Sequence, residues 1–517
     1  MLLLILLTLA VFIAGCLYVN FLRKVNHWKN RKIPHAKPVF PEGNYRGTGS
    51  INLGVILKSI YDSGKTEKVY GFWQFHIPTL MIIDPDLVKC VLASDFSHFD
   101  DHGVYFDEEI DPLSANLLTL GGSQWKCIRT KLAPAFTTGK MKLMFPMMLK
   151  CAEDLREVLE GPAERREVIE FKELLARFTT DVISSCAFGV EVQSLKHKNS
   201  IFRIRGKEVF ESSWEVLLRN FIGFLFPGLA RFFKLRIYSK ELTQFFLKFI
   251  RESMEERKRE NIHRNDILQM LMELRDKGFI GDADDSSNSK FRVYQYSKEK
   301  FTLEQAAAQA FIFFTAGFET SSTTTQYALY ELAVHPEMQE RVRKEVKRVI
   351  NKYNGSITYE GLTEMEFLGR IVEETLRKYP PASNLSRICT KEYKLPGTDI
   401  VIEKGTQISV CIYGLHMDER YYPNPEVFDP DRFTEEQKAA RHRFTYIPFG
   451  EGPRICIGYK FGLTQTKLGL ATILSNYTVD VADGKTRIPP IYDPKSFFFA
   501  PKDGMHLKIS PVARNGQ

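Results

Sequence analysis

A single cysteine near the C-terminus lies in a segment whose glycines restrict what can surround it. The segment reads Phe449-Gly450-Glu451-Gly452-Pro453-Arg454-Ile455-Cys456-Ile457-Gly458. Glycine has no Cβ, so the backbone here can approach a flat or bulky group closely. After Gly458 the apolar residues recur at helical spacing, and Cys456 is therefore expected at or just before a helix N-terminus. Unpaired N–H groups and the helix dipole at that position favour a thiolate over a thiol.

A lone thiolate in a stiff loop suits an axial ligand of haem iron, and thiolate ligation promotes cleavage of an O–O bond. Three simpler interpretations compete with this one. A single cysteine in an intracellular enzyme is most often a small buried hydrophobe. Glycine-rich loops also cradle phosphates, but the dinucleotide and P-loop spacings are absent here. A zinc site is disfavoured because the sequence contains no Cys-x-x-Cys.

Composition limits the fold and removes some functions. A chain of 517 residues has room for about two to four domains, but no Ser/Gly/Pro-rich linker divides it, so one large unit is expected. The 39 phenylalanines require large buried surfaces. The net charge of +8 is interleaved rather than collected in a stripe, which argues against nucleic-acid binding. The cysteines are scattered without a disulfide framework, as in a reducing compartment: Cys16, Cys90, Cys127, Cys151, Cys186, Cys389, Cys411 and Cys456.

The N-terminus predicts a membrane anchor. Residues 2–19 form an uncharged apolar run, which as a helix spans about 27 Å, close to the thickness of an endoplasmic-reticulum bilayer. Basic residues follow the run and none precedes it, so the positive-inside rule places the body of the protein in the cytosol. A cleaved signal peptide and a lipoprotein signal ending at Cys16 are disfavoured because both normally need a basic n-region. We predict a single-pass transmembrane signal-anchor at 1–20, a basic and proline-containing linker at 21–44, and the functional domain at 45–517.

Local patterns along the domain indicate a mainly α fold with a minor β region. A helix is expected over 51–63, and another from Asp84-Pro85, where Asp is a favourable N-cap and Pro a favourable first residue. A pair of strands is expected between 69 and 83, interrupted at Pro78. Further short strands are expected over 393–413, with turns at the Pro-Gly and Lys-Gly pairs.

The most apolar segment of the domain runs from Asn220 to Phe233. Its default interpretation is a buried core element. Pro227-Gly228 interrupts it, however, which suits a loop between helices better than a core helix. Beside a membrane anchor, such a loop predicts a second contact with the bilayer.

A second motif, Ala316-Gly317-Phe318-Glu319-Thr320-Ser321, lies in a helical run that starts near Thr302. The small residues at 316 and 317 leave room for a flat cofactor and weaken the helix locally. The Thr320 hydroxyl can bond to the carbonyl four residues earlier and so open a polar notch, which Glu319 can link to solvent. The alternative is an ordinary core helix rich in Ser and Thr. Helical spacing places one set of residues on a single face: Gln309, Ile312, Phe313, Ala316, Gly317, Thr320 and Thr324.

Two pairs of residues are typical of sites that bind charged groups. Glu374 and Arg377 share a helix expected over 366–379, and alone such a pair is usually a solvated surface pair worth a few tenths of a kcal/mol. Arg432 lies in an Asn-Pro-Glu-Val-Phe-Asp-Pro-Asp-Arg-Phe run shortly before the cysteine segment. Trp125 and Arg129 lie four residues apart on another helix, and their N–H donors suit carboxylates such as haem propionates.

Together these motifs resemble those of the cytochrome P-450 superfamily, in that family's order and over nearly the whole chain. The resemblance implies haem b as the cofactor, Cys456 as the axial ligand of its iron, and proton delivery by Thr320 and Glu319. It implies a buried structural charge cluster of Glu374, Arg377 and Arg432 beneath the haem. It also implies a set of cofactor contacts: Trp125, Arg129, Ala316, Gly317, Phe449, Gly452, Arg454 and Gly458. Asn384 lies where some relatives carry a basic propionate ligand, and it is given no role.

The resemblance is greatest to insect microsomal members of the xenobiotic-metabolising type. It implies a single cytochrome P-450-type fold and a membrane-bound oxidoreductase of the endoplasmic reticulum with a cytosolic catalytic domain. Such a monooxygenase inserts one atom of O2 into a lipophilic substrate with electrons from NADPH. The implied partners are NADPH-cytochrome P-450 reductase, cytochrome b5 as a second donor, a lipophilic small molecule and the lipid bilayer, but no nucleic acid. Plant toxins, insecticides, fatty acids and hormones all stay open as substrates.

Two alternative functions stay open from the sequence. One is a non-oxygenating isomerase or dehydratase of peroxidised lipids, although such relatives typically lose the acid–threonine pair that this chain retains. The other is a protein that only binds lipophiles or haem, which would need neither a proton relay nor so specialised a ligand.

Two surfaces complete the sequence predictions. Five basic residues are expected near the solvent-facing haem edge, where an acidic flavin domain could dock: Lys126, Lys131, Arg441, Arg443 and Lys460. Several segments are expected to line a roomy aromatic pocket: Val104–Leu118, Trp214–Phe226, Ile312, Phe313, Ala316, Ala382–Leu385 and Ser496–Phe499.

Overall fold

Helices make up most of the protein. The computed structural model describes residues 18–210, 214–277 and 301–512, together with Met1, Thr8 and Gly15. Residues 18–24 are helical. The α-helices that follow are His27–Asn30, Leu53–Gly64, Pro85–Lys89, Gly122–Leu132, Thr138–Glu164, Phe171–Phe188, Ile201–Phe210, Trp214–Leu225, Pro227–Phe232, Lys240–Arg259, Ile267–Lys277, Leu303–Val334, Pro336–Lys352, Tyr359–Glu364, Glu366–Lys378, Ile412–His416, Glu435–Ala440 and Tyr459–Asn476.

Two sequence predictions fall largely outside these residues. The signal-anchor at 1–20 lies almost wholly outside them, and so does the polar stretch at 276–298, which the sequence predicts to be a loop. Within the described ranges, no helix has the length and apolar character needed to cross a membrane.

Strands are few and short, in agreement with the predicted minor β region. In the described ranges they are β1 Val69–Gln74, β2 Ile77–Ile82, β3 Val168–Glu170, β4 Leu385–Ile388, β5 Tyr393–Lys394, β6 Val401–Ile402, β7 Gln407–Val410, β8 Tyr477–Val481 and β9 His506–Pro511. They form sheets with the orders β1-β2-β7-β4, β3-β9-β8 and β5-β6. The β2–β7 pair is parallel, whereas the other pairs are antiparallel.

The helix Leu303–Val334, called the central helix below, is buried along most of its length. It begins at a capping box in which Thr302 and Gln305 satisfy each other's backbone N–H groups. It packs between the helices Phe171–Phe188 and Tyr459–Asn476, so residues in its middle lie at the centre of the molecule.

Most local predictions are confirmed. The helix expected at 51–63 is Leu53–Gly64, and Asp84 caps the helix that starts at Pro85. The expected break between the first two strands is misplaced, however. Pro78 lies within β2 opposite Trp73, and the turn falls at Phe75, which has a positive φ. Pro78 is tolerated because β7 pairs with β2 only from Thr79 onward, so no strand on that side requires an N–H at Pro78.

The residues just before the domain pack into it. Trp28 and Ile33 are buried in the hydrophobic cluster built on the first sheet. The Trp28 indole N–H donates to the Phe72 carbonyl at 3.1 Å. Gly71 is required at this contact, because a Cβ there would lie 2.5 Å from the indole ring.

Residues 214–233, called the apolar cap below, form two helices that meet at Phe226. Pro227 starts the second helix instead of forming a loop, since proline at a first helical position loses no hydrogen bond. The buried-core interpretation is wrong, because Phe232 is 78% exposed and Phe233 64% exposed. The cap rests on the β1–β2 turn, where Phe75 and His76 contact Phe221 and Phe226.

Candidate functional site

The loop 449–458, called the cysteine loop below, is closed by its own backbone. The Cys456 N–H donates to the Phe449 carbonyl at 2.9 Å, and the helix Tyr459–Asn476 starts directly after Gly458. Gly452 has φ +75°, and a Cβ there would lie 1.9 Å from the Leu92 carbonyl oxygen. Only glycine therefore allows this loop to seat against the preceding chain.

The Cys456 sulfur lies inside the protein yet keeps free surface. The side chain is exposed, but burial raises the pKa of its thiol, against the opposing effects of the Gly458 N–H and Arg129. The side chain thus has free surface although protein atoms surround it. We infer that the sulfur faces an internal space rather than bulk water. The Gly458 N–H, at the start of the following helix, acts in the direction expected of a helix N-terminus, but burial has the larger effect. A metal cation bound to the sulfur would supply the missing stabilisation.

A second free surface faces inward from the central helix. Ala316 is exposed, although Phe313, Phe314, Thr315 and Phe318 around it are buried. The central helix and the helix after the cysteine loop contact each other beside this point, where a Cβ on Gly462 would lie 3.6 Å from the Ser321 hydroxyl. The small residue Ala316 therefore leaves room where a flat group would pass beside the helix. Gly317 does not share this role, because a Cβ there would lie 2.8 Å from Ile183 on the helix Phe171–Phe188.

The polar notch predicted in the central helix is built from more residues than the sequence indicates. The Thr320 hydroxyl donates to the Ala316 carbonyl at 2.8 Å, as predicted. The next two carbonyls, of Gly317 and Phe318, accept from Gln465 at 2.6 Å and from Thr179 at 2.9 Å. Side-chain donors thus engage three successive helix carbonyls. Such bonds compete with the helical hydrogen-bond ladder.

Glu319 lies beside this notch in a partly charged environment. Burial raises the pKa of its carboxyl group, while the charges of Lys172 and Arg203 oppose that rise and Glu173 adds to it. Arg203 forms a two-point ion pair with Glu173. A carboxyl group next to a hydroxyl in sequence can serve as a general acid or base on the path to it.

The structure brings Glu374, Arg377 and Arg432 together as a buried cluster. Both Glu374 oxygens accept from Arg377, at 2.6 and 2.7 Å, and the two side chains have no exposed surface. The Arg432 Nε lies 3.5 Å from Glu374. Burial lowers the pKa of Arg377, but the bonds and charge of Glu374 raise it above its ordinary value. Arg377 also donates to the His416 and Pro425 carbonyls, so the cluster ties the helix Glu366–Lys378 to the chain before the cysteine loop.

Trp125 and Arg129 lie on the helix Gly122–Leu132, against the cysteine loop. Arg129 donates to the Ile455 carbonyl at 2.8 Å, and the Arg454 guanidinium carbon lies 4.2 Å from the Trp125 ring centroid. Arg454 uses its Nε and Nη2 on the Asp100 and Leu120 carbonyls. Its Nη1 is buried, with no hydrogen-bond partner among the described residues.

Two further buried donors beside Arg454 were missed by the sequence analysis. His102 Nε2 and Arg387 Nε are buried, and neither has a partner in the described parts of the chain. Burial and the charge of Arg454 lower the pKa of Arg387 to about 9. Burial, Arg387 and Arg454 lower the pKa of His102 well below its ordinary value. Two neighbouring guanidinium groups, each with one unpaired nitrogen, and a neutral imidazole thus offer donors to an anion, and the carboxylates of a porphyrin would supply the acceptors.

Asn384 does not belong to this group of donors. Its Oδ1 accepts from the Ser409 hydroxyl at 2.6 Å, and its amide faces Ser386. Arg387, three residues later in β4, is the basic residue that this part of the chain contributes. The sequence offers no local signal for it, because a single arginine in a short strand is usually exposed.

A conventional metal site of several side chains is not found among the described residues, where no His, Cys, Asp and Glu side chains cluster suitably. Cys456, with its free inward surface, fits the single protein ligand that haem iron needs. The unpaired donors of His102, Arg387 and Arg454 fit the propionates, and the gap at Ala316 fits the ring. The residues present therefore fit a haem.

Comparison with known proteins agrees with this geometry. The family model described as Cytochrome P450 matches residues 56–508. Among similar proteins, "Probable cytochrome P450 6a13" of Drosophila melanogaster is 40% identical over 98% of this chain and 98% of its own length. "Cytochrome P450 6a2" of the same fly is 38% identical over 98% and 100%. "Cytochrome P450 6k1" of Blattella germanica is 39% identical over 95% and 94%. The chain belongs to the cytochrome P450 family.

Proposed function

We propose that Cys456 is the axial thiolate of this enzyme and that the residues around it hold and serve a haem b group. The enzyme is a haem-thiolate monooxygenase, in which the bound haem activates O2 with electrons derived from NADPH. The observation that carries the assignment is the inward-facing sulfur of Cys456 in a loop closed on the Phe449 carbonyl. Gly452, Phe449 and Gly458 shape that loop, and Ala316 leaves space on the central helix, where Gly317 allows close packing against Ile183.

The propionates would be held by one set of donors, which a second pair of residues helps to position. His102, Arg387 and Arg454 offer buried N–H groups that lack acceptors in the described ranges. Trp125 and Arg129 lie next to Arg454 and orient it through a stacked ring and a bond to the loop backbone. A charge-assisted bond to each carboxylate would stabilise the ion pairs more than a neutral bond does.

Thr320 and Glu319 are proposed to deliver protons. The Thr320 hydroxyl is held by the Ala316 carbonyl, so its position next to the free surface of Ala316 is fixed. Glu319 lies in the field of Lys172, Glu173 and Arg203, whose charges shift its pKa, and it would pass protons from solvent toward Thr320. This retained acid–threonine pair favours oxygenation over the isomerase or dehydratase alternative.

The substrate is proposed to be a neutral or weakly charged lipophile, with xenobiotics as the leading class. Aromatic side chains link the expected pocket segments: Phe498 contacts Phe210 at 5.5 Å, and Phe210 contacts Phe318 at 5.7 Å. Leu118 is 51% exposed within an otherwise buried stretch, as expected for a side chain that faces an internal space. Contacts of this kind are not directional, so they tolerate several substrate shapes.

The protein is proposed to act at the endoplasmic-reticulum membrane, with an anchor at 1–20 joined by residues 21–44 to a cytosolic domain at 45–517. The apolar run at 2–19 supports the anchor. The exposed cap supports a second contact. Burial and the charge of Lys24 lower the pKa of His76, and His76 stacks on Phe226 at 5.0 Å. Residues near the predicted anchor therefore lie on the same side of the molecule as the cap.

The electron donor is a redox-partner reductase, and we propose that it docks near Lys126, Lys131 and Lys460, with cytochrome b5 as a second donor. Lys460 donates to the neutral Thr138 hydroxyl at 2.9 Å and keeps its charge free of a carboxylate in the described ranges, whereas the other two basic residues suggested by the sequence lie in different surroundings. Arg443 pairs with Glu451 at 3.0 Å, and Arg441 lies over the Tyr422 ring.

The deciding experiment is the spectrum of the reduced Cys456→Ser protein under carbon monoxide. The variant should lose both the far red-shifted Soret band of thiolate-ligated haem and NADPH-dependent oxygenation, because an alcohol is too weak an acid to replace the thiolate. Cys127→Ser, on the Trp125 helix, is the matched control and should keep both. A Cys456→Ser protein with the full spectrum would refute the axial assignment.

A further inference from the structure

The side chain of Asn52 binds two parts of the chain that lie far apart in sequence. Its Oδ1 accepts from the Gly54 N–H at 2.9 Å and so caps the helix Leu53–Gly64. Its Nδ2 lies within hydrogen-bond distance of three carbonyls near the C-terminus: those of Asp493 at 3.0 Å, Ser496 at 3.0 Å and Phe498 at 3.2 Å. Asn52 is 3% exposed, so water cannot readily replace its amide as the donor.

The bound segment, residues 493–499, is a loop that is turned by short local bonds, from the Lys495 N–H to Asp493 and from the Phe498 N–H to the Ser496 hydroxyl. At its base, the Asp493 N–H donates to the Ala500 carbonyl at 2.8 Å. Three carbonyls of the loop converge on the Asn52 amide, so one side chain links the loop to the start of the helix Leu53–Gly64. Without the amide they would lose a shared donor.

The same corner sets the orientation of the aromatic side chains in the loop. A Cβ on Gly54 would lie 2.4 Å from the Phe499 ring, so the start of the Leu53–Gly64 helix packs directly on that residue. Phe499 is buried between Tyr413 and Tyr492, each at 4.6 Å. With Phe499 turned inward, Phe498 contacts Phe210, and Phe497 stays 69% exposed.

This arrangement connects Asn52 to the central helix. Phe498 touches Phe210, and Phe210 touches Phe318, the residue before Glu319. A Cβ on Gly54 would also lie 2.9 Å from the Ser383 side chain, in another segment expected to line the pocket. A displacement of the loop would therefore move one wall of the substrate space without touching the cysteine loop.

We propose that Asn52 is a positioning residue for substrate selection, which fixes the loop 493–499 so that Phe497 and Phe498 form one wall of the pocket. The proposal rests on the proposed function, because it takes this loop as part of the substrate space. Large lipophiles that reach the wall depend on Asn52, whereas ligands small enough to bind beside Cys456 alone do not.

Two substitutions separate two roles of Asn52. One is the cap, in which its Oδ1 accepts from the Gly54 N–H, and the other is the clamp, in which its Nδ2 binds the carbonyls of the loop 493–499. Asn52→Ser keeps an oxygen that can cap the Gly54 N–H, but it has no amide to reach the loop carbonyls. Asn52→Asp keeps the cap and sets a carboxylate oxygen against the carbonyls, which repels the loop. Thr358→Ala is the matched control, since Thr358 caps the helix Tyr359–Glu364 and has no part in this loop.

Hydrogen–deuterium exchange of the holoenzyme tests the clamp directly. Amides of residues 493–500 should exchange faster in Asn52→Ser and faster still in Asn52→Asp. They should be unchanged in Thr358→Ala, even if all three variants lose similar thermal stability. Unchanged exchange at 493–500 in Asn52→Ser would overturn the clamp, and that variant decides the matter if Asn52→Asp does not fold.

Ligand binding tests the role in selection. Clotrimazole fills a large pocket while binding haem iron, whereas imidazole occupies only the space beside it. For Asn52→Ser, the Kd of clotrimazole should rise about fivefold, the equivalent of one net hydrogen bond, and the Kd of imidazole should not change. Equal changes for both ligands would overturn the role in selection. A wild-type protein without the thiolate carbon monoxide band would refute the proposed function instead, and the exchange data would still decide the clamp.

Discussion

Two regions on opposite sides of the site are held by different forces. Beneath the cysteine loop, Glu374 and Arg377 have no exposed surface and form a two-point ion pair. In the apolar cap, Phe232 and Phe233 are largely exposed. The cap contacts the body of the protein largely through rings, such as Phe75 against Phe221 at 5.0 Å. One region is fixed by directional bonds and the other rests on apolar surface.

This difference gives a fixed position to the region expected to carry the chemistry and adaptable contacts to the region expected to take part in substrate choice. A hydrogen-bonded charge cluster has one good geometry and is costly to disturb, because any loss leaves a buried charge unpaired. Apolar contacts have no preferred direction and can be exchanged at little cost. The cysteine loop can therefore keep one position while the cap adapts to substrates or to a membrane.

The largest expected effect comes from breaking the fixed region at Glu374→Gln. The substitution leaves the Arg377 and Arg432 guanidinium groups buried without their anion, at a cost of about 3–5 kcal/mol. We expect little folded holoprotein, measured as haem content and as the amplitude of the carbon monoxide spectrum. Asp62→Asn, which breaks the partly exposed Lys58–Asp62 pair, is the control and should change stability by less than about 1 kcal/mol. Normal haem content in Glu374→Gln would show that the cluster is dispensable.

The second prediction concerns Thr320, in the central helix. Thr320→Ala should leave the fold and the carbon monoxide spectrum intact, because within the described ranges its hydroxyl donates to the Ala316 carbonyl of its own helix and to no other group. Product formed per NADPH consumed should fall severalfold, with the lost electrons recovered as peroxide, because the positioned proton donor is gone. Thr324→Ala removes the same kind of bond one turn later and should keep normal coupling. Equal coupling in both variants would show that the Thr320 hydroxyl has a structural role in the helix and does not deliver protons.

The sequence revealed the parts of the site that are encoded locally. Cys456, Trp125, Arg129 and the Glu374–Arg377 pair each belong to a short pattern in which spacing and residue type carry the information. The same holds for the helix cap at Asp84, since capping involves only neighbouring residues.

The sequence did not reveal residues whose partners are distant in the chain. Gln465 donates to the Gly317 carbonyl across 148 positions, and Asn52 reaches a loop more than 440 positions away. Arg387 and His102 become notable only once folding brings them beside Arg454. No local pattern distinguishes such residues from surface glutamine, asparagine, arginine or histidine.

A third prediction tests the cap. In a variant that lacks residues 2–20 but keeps the buried Trp28, Phe232→Ser with Phe233→Ser should weaken binding to phospholipid vesicles about tenfold, the equivalent of about 1.4 kcal/mol of apolar transfer. The thermal midpoint should barely move, because both rings are exposed. Ile488→Ser, at another exposed apolar position, is the control and should bind as the parent does. Unchanged binding in the double variant would place the membrane contact elsewhere.

The last prediction is a pH dependence that arises in the fixed region. His416 is buried, its Nε2 accepts from the Ile447 N–H at 3.0 Å, and its Nδ1 lies 3.2 Å from the Arg377 carbonyl. Both ring nitrogens are engaged in the neutral form. Burial and the nearby charges of Arg377 and Arg441 lower the pKa of His416 to about 3, although the Arg377 and Leu376 carbonyls oppose the shift.

A depressed histidine pKa means that the unfolded chain binds the proton more readily than the folded one. Stability from this residue is thus complete above the unfolded pKa of about 6.5 and is lost as the pH falls toward 3, at about 1.4 kcal/mol per unit. Between pH 7 and 5 the wild-type protein should lose about 2 kcal/mol through His416, measured from urea midpoints. His416→Gln should be less stable at pH 7 but lose about that much less on acidification, whereas the exposed control His197→Gln should follow the wild type. Parallel pH profiles for all three proteins would show that groups other than His416 cause the loss of stability in acid.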